Sequence, residues 1–118
     1  MIEYEYQSER KFLIVRVSGV VTHEDFSGEG FPDVAEGTRE LFDLSSATDA
    51  QISNAEVRQI SDTDRRGPGR IVQMAILAET DIAFGMARMY QILTDEMSTE
   101  VQVFRDRAAA MAWLDLSD

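Results

Sequence analysis

The sequence predicts an α/β fold: one domain over residues 1–118, with a mixed, mostly parallel five-stranded sheet whose first strand is antiparallel, covered by about four helices. Three observations predict it. Ile2, Tyr4 and Tyr6 alternate with Glu3, Glu5 and Gln7, the period-two signature of a half-buried strand. Ile71 to Ala78 is an apolar run of strand length broken only by Gln73, as expected of a parallel strand covered on both faces. Between such segments recur helix-start signals, Ser, Thr or Asp ahead of apolar residues at helical spacing, which is the sequence pattern of crossover connections.

Taken in order, Lys11 to Val17 reads as a second strand, joined to the first by a Ser8-Glu9-Arg10 connection short enough for an antiparallel hairpin. The acidic face of the first strand then lies in water. Thr22-His23-Glu24-Asp25 reads as an approximate capping box opening a short helix, followed by an irregular stretch over 28–37 rich in glycine and proline. Arg39 to Leu44 is a third strand, ending at Asp43-Leu44-Ser45-Ser46. Ser53-Asn54-Ala55-Glu56 is a better capping box, starting a helix to about Asp64 with a thin apolar face of Ala55, Val57 and Ile60. Arg65 to Arg70 makes a turn before the strand at Ile71. Thr80 and Asp81 open the strongest helix, whose apolar stripe is Ile82, Met86, Met89, Leu93 and Met97. Glu100 to Phe104 is the fifth strand, and Asp106 caps a last helix carrying Ala109, Ala110, Trp113 and Leu114. Right-handed crossovers make the last four strands parallel.

Charge and composition exclude several functions. Twenty-two acidic against 11 basic residues give a net charge of −11. Nucleic-acid affinity comes mainly from Lys and Arg neutralising phosphates, so nucleic acid is not an expected partner. An anionic membrane surface is disfavoured for the same reason, and no apolar run approaches the ~20 residues of a membrane span. The acids are concentrated: Val17 to Thr38 holds Glu24, Asp25, Glu29, Asp33 and Glu36 with no basic residue. There is no cysteine, which removes disulfides, thiol catalysis and sulfur-ligated zinc. The N-terminus has no basic, apolar leader pattern, so a cytoplasmic location is expected.

Catalytic constellations are poor. His23 is the single histidine, so paired-histidine metal motifs cannot be built, and no G-x-S-x-G elbow accompanies a serine triad. Asp62 and Asp64 lack a calcium loop, and Gly67-Pro68-Gly69 lacks the lysine and following helix of a phosphate loop. Neither a catalytic residue, a metal site nor a cofactor is expected. Asp43 stands at the predicted C-terminal end of a strand, where open α/β sheets place their sites, and bonding of loop amides is the favoured role for its carboxylate. Gly85 sits inside the strongest helix, a costly position that a close approach by a neighbouring element would explain. Ser53 caps the Glu56 amide, and a phosphate there would also face free N–H groups and the positive end of the helix dipole.

Three stretches carry a family resemblance: Phe42-Asp43-Leu44-Ser45-Ser46, then Asp81-Ile82-Ala83-Phe84-Gly85-Met86-Ala87-Arg88-Met89-Tyr90, and Val103-Phe104-Arg105-Asp106 with Ala112-Trp113-Leu114. On these the chain resembles the SpoIIAA-like proteins, the fold group containing the STAS domains of anti-sigma factor antagonists. It is most similar to a branch of small uncharacterised bacterial proteins related to STAS and CRAL-TRIO lipid-transfer domains. In the antagonists a D-L-S segment ends a strand and a D-S-S-G segment opens the next helix, its second serine accepting phosphate from an anti-sigma kinase. Laid without gaps from Asp43-Leu44-Ser45, that acceptor position falls on Ser53, with Gln51, Ile52 and Asn54 departing from the motif around it.

The resemblance implies a non-enzymatic regulatory module that docks a protein partner after the third strand, through a face of Asp43, Ser45, Ser46, Asn54, Arg65 and Arg66. The alternative it implies is a small apolar ligand or lipid, for which the methionines of the Asp81 helix offer an adaptable lining. Exposed sheet edges also make a homodimer a reasonable expectation.

Overall fold

The computed structural model describes residues 2–22, 24, 32–51, 53, 55–56, 71–93 and 100–115. The strands are β1 (Ile2–Gln7), β2 (Phe12–Thr22), β3 (Thr38–Gln51), β4 (Ile71–Leu77) and β5 (Glu100–Phe104); the helices are α1 (Asp81–Leu93) and α2 (Arg107–Leu114). They form one five-stranded sheet in the order β1-β2-β3-β4-β5. β1 pairs antiparallel with β2, and every later pair is parallel, as the sequence predicts.

The hairpin registers Tyr4 with Val15 and Tyr6 with Leu13, so the alternating apolar residues of β1 fall on one face. Glu3 and Glu5 project from the other face into solvent. There Glu5 accepts hydrogen bonds from Gln7 at 2.9 Å and Arg16 at 3.1 Å, which hold its carboxyl below the usual range. β2 begins one residue later than the sequence predicts, because Lys11 closes the turn in the left-handed region at φ 50°.

Because the parallel strands follow one another in order, right-handed crossovers return across a single face. α1, the β4–β5 crossover, lies there, and Val34 from the β2–β3 connection joins the same core with Leu13, Val15, Phe42, Met74 and Ile76. The Tyr6 hydroxyl fixes that connection by accepting from the Ala35 amide at 3.0 Å, while Thr38 donates to the Ala35 carbonyl at 2.6 Å. The Ala35 amide, and after it the Thr38 hydroxyl, hold the Tyr6 phenol below its ordinary pKa. α2, which follows β5, covers the opposite face with Phe12, Ile14, Leu41, Ala75 and Leu77. β4 is thus apolar on both sides, as its composition predicts.

Several boundaries differ from the sequence reading. β2 continues to Thr22 and β3 to Gln51, past the predicted ends at Val17 and Leu44. Ser18-Gly19 and Ser45-Ser46 look like turns in sequence, but the two strands pair with each other through them. Gly19, at φ +72°, takes up the irregularity where a β2 side chain would be strained. Thr22 therefore ends a strand, Glu24 of the same segment is in a 3-10 turn, and His23 and Asp25 lie outside the described residues. The described residues hold two helices rather than about four. The helix predicted from Ser53 does begin, with Ala55 and Glu56 helical, and its continuation over 57–64 is outside the described residues.

α1 also turns a different face to the sheet. Ala83 and Ala87 are its buried residues, with Phe84 and Tyr90 packed at the edge of the core. Ile82 is 66% exposed, and Met86 and Met89 are half-buried. Small side chains bring the helix axis close to the sheet, so the bulkier stripe points sideways and outward.

Gly85 is exposed, and no described neighbour lies within 4 Å of where a Cβ would stand. The close approach that would explain the glycine is not made among the described residues. Gly85→Ala is accordingly expected to raise the unfolding free energy by about 0.5–1 kcal/mol in dilute solution, read as a higher urea midpoint at unchanged slope.

Candidate functional site

The parallel strands bring their C-terminal ends to one rim, the place where open α/β sheets present functional groups. Asp43 registers with Leu77 of β4, and Leu77 with Phe104, the last residue of β5. Beyond Asp43, β3 pairs only with β2 among the described residues, in a ribbon that keeps Leu44 and Val21 buried on the core side and exposes Ser45, Ser46, Thr48 and Asp49 on its other side. Asp43 is therefore an interior strand residue at the root of this ribbon, not the end of a strand. Ser45 and Ser46, predicted to lie in a loop, are ribbon residues and are exposed with Thr48 and Asp49.

A bulge explains what Asp43 does. Between the Arg16–Asp43 and Ser18–Ser46 pairs, β2 contributes one residue and β3 two. An extra residue leaves ladder groups without a strand partner. Asp43 Oδ1 supplies one, accepting from the Ser45 amide at 2.8 Å and the Ser45 hydroxyl at 2.5 Å. Its Oδ2 accepts from Arg107 at 3.1 Å, on the first turn of α2. The Asp43 side chain is only 8% exposed and both its oxygens are engaged, so amide bonding is its role, in a bulge rather than a loop. Arg107 is a residue the sequence reading missed. No local pattern signals it, because Arg107 reaches Asp43 only through the strand order that puts β5 two strands from β3.

Beside this cluster, Arg105 extends from the end of β5 across the start of α1. It donates to the Glu79 carbonyl at 2.9 Å and to Asp81 at 2.7 Å, and its guanidinium stacks 5.0 Å from the Phe84 ring centroid. Both helices start at this rim with their caps in place: Thr80 Oγ1 accepts from the Ala83 amide at 3.2 Å, and Asp106 accepts from the Ala109 amide at 3.2 Å. The second missed residue is Glu40, fully buried in β3, which sequence reading passes over as an ordinary alternating polar position. No buried polar atom among the described side chains lacks a hydrogen-bond partner.

Ser53 is exposed and makes the reciprocal cap that its spacing predicts. Its hydroxyl accepts from the Glu56 amide at 3.1 Å, and Glu56 accepts from the Ser53 amide at 3.0 Å. Of the other predicted face residues, Asn54, Arg65 and Arg66 lie outside the described residues, as do His23, Asp62, Asp64 and 67–69. The structure thus joins Asp43 to Ser45 and adds Arg107 to them.

Chemically, the rim offers hydroxyls, carboxylates and arginines held in mutual hydrogen bonds. Asp43 Oδ1 accepts two hydrogen bonds and Oδ2 one, and the Ser45 hydroxyl donates its proton to Asp43. Among the described residues no three His, Cys, Asp or Glu side chains gather to hold a metal ion. No described helix is long and apolar enough to cross a membrane.

The SpoIIAA-like family profile matches residues 12–115. Among solved structures, an uncharacterised protein of the DUF3478 family with a SpoIIAA-like fold, from Shewanella loihica PV-4, is similar over 97% of this chain and 92% of that one. The TM-score is 0.57 and the sequence identity 17%, a likeness of fold. No curated protein matches the sequence.

Proposed function

The chain belongs to the SpoIIAA-like family, and on that premise we propose that it acts without catalysis, docking a protein partner on the rim formed by the β2–β3 ribbon and the starts of α1 and α2. The observation that carries this reading is the ribbon itself. β3 runs past β4 and β5, setting Ser45, Ser46, Thr48 and Asp49 out in solvent on a backbone fixed by Asp43 and Arg107. A polar edge whose other side is packed on the core, with Leu44 and Val21 buried, suits recognition of a folded surface, where little ordering entropy is lost on binding. Asp43, the strongest candidate for an acid or base, is committed to the fold.

Ser53 stands next along the chain, exposed at a capped helix start. A phosphate or aspartate there would sit beside the Glu56 amide at the positive end of the helix dipole, changing the surface charge. The small apolar ligand gains no supporting observation among the described residues.

The test is affinity capture from source lysate, with the captured protein identified and its affinity measured. The expected result is one partner that binds wild type and Arg16→Ala alike, while Ser46→Arg and Ser53→Asp weaken it about tenfold or more. Absence of any such partner, or a partner indifferent to both rim substitutions, would overturn the proposal.

A further inference from the structure

We propose that α1 pairs with α1 of a second copy of this chain, antiparallel and crossing at Gly85, to form a symmetric dimer. Ile82, Gly85, Met89 and Ile92 recur at intervals of three, four and three, the spacing of a helix-pairing seam. This seam is turned away from the sheet, with Ile82 and Ile92 each 66% exposed. Gly85 lies at its centre. A glycine inside a helix costs about 1 kcal/mol relative to alanine, and nothing described in the chain approaches its Cβ position. A crossing helix does need it, because the side chains at the contact set how near two helix axes come.

Charge identifies the occupant as a second copy. At a net charge of −11 two copies repel, and approach is easiest where acids are missing. From Ile82 to Leu93 there is no acid, and Arg88 is the one basic residue. Asp81 lies four residues before Gly85 and Arg88 three after it, both on the same flank of the seam. In an antiparallel crossing at Gly85, Asp81 of each copy meets Arg88 of the other. The Asp81 side chain is 92% exposed even while bonded to Arg105, so it remains accessible to such a pair. One two-fold axis satisfies both contacts, as an isologous interface requires. A single helix crossing buries less than the ~1,000 Å² typical of stable interfaces, so the dimer is weak and concentration-dependent.

Sedimentation equilibrium on the full chain, from about 1 µM to about 1 mM, tests this. Wild type should pass from monomer to dimer across that range. Ile82→Glu and Ile92→Glu should each weaken association at least about tenfold. Gly85→Leu should weaken it as much, although it adds apolar surface and favours the helix, an effect that unspecific apolar sticking would reverse. Arg88→Glu should weaken it too, and Asp81→Arg with Arg88→Glu should regain most of that loss. All these positions are exposed, and circular dichroism would verify that each variant is folded. Wild type remaining monomeric, Gly85→Leu associating as well as wild type, or no recovery in the charge swap would overturn the proposal.

Discussion

Asp43→Ala is expected to lower the unfolding free energy by about 2–3 kcal/mol, the cost of leaving buried hydrogen-bonding groups without their acceptor. The carboxylate accepts from the Ser45 amide, the Ser45 hydroxyl and Arg107, and it is almost fully buried. Asp43→Asn retains an oxygen for the Ser45 amide and gives up the charge, so about 1 kcal/mol is expected. Arg107→Ala should also cost about 1 kcal/mol, because that guanidinium is half in solvent and its pair is screened. Urea titration of the three variants decides the matter. Equal losses for Asp43→Ala and Asp43→Asn would mean that the carboxylate does not clamp the bulge. Because the two-stranded ribbon begins at Asp43, the alanine variant should also lose partner binding, and the asparagine variant should largely retain it.

Leu114→Ala is expected to cost about 3 kcal/mol, within the 2–5 kcal/mol range for truncating a buried leucine. Leu114 is fully buried at the last turn of α2, and its carbonyl accepts from Arg39 of β3 at 2.9 Å. With Ala110 one turn earlier, it is what fastens α2 to the sheet. Trp113, the single tryptophan, packs against Phe104 of β5 with ring centroids 5.6 Å apart, so its fluorescence reports on this docking. Tryptophan fluorescence and far-ultraviolet circular dichroism should give coincident, earlier unfolding transitions, as two-state behaviour demands. A loss under about 1 kcal/mol would show that the pocket beneath α2 collapses to fill the space. Met111→Ala is the control, half-buried and correspondingly milder.

Both variants act on features that differ in how far the sequence disclosed them. The α2 cap at Asp106 and the leucine one helix later are legible, since a cap needs an acceptor at the start and a stripe needs spacing. The reciprocal Ser53–Glu56 cap is legible for the same reason. The Asp43 clamp is not. Its face depends on which residues bulge, and Arg107, 64 positions away, reaches it because β5 lies two strands over from β3.

The α1 helix shows the same division in another form. Periodicity located the helix and its start at Thr80-Asp81, yet pointed the Ile82–Met89 stripe inward. The sheet instead accepted Ala83 and Ala87, because closeness of approach outweighs side-chain size where a helix lies flat on strands. Of the larger residues, Ile82 was left exposed and Met86 and Met89 half-buried.

By itself the sequence determined the order of the five strands and two described helices, the antiparallel first pair, the doubly covered β4 and the caps at Ser53, Thr80 and Asp106. Each of these follows from a local pattern of spacing or hydrogen-bonding groups within a few residues. Only the tertiary structure decided how far β2 and β3 run, which face of α1 is buried, and that Asp43 belongs to a bulge held by Arg107. Those depend on which distant segments supply the missing hydrogen bonds and packing, and a serine pair or an apolar stripe reads the same with or without such a neighbour.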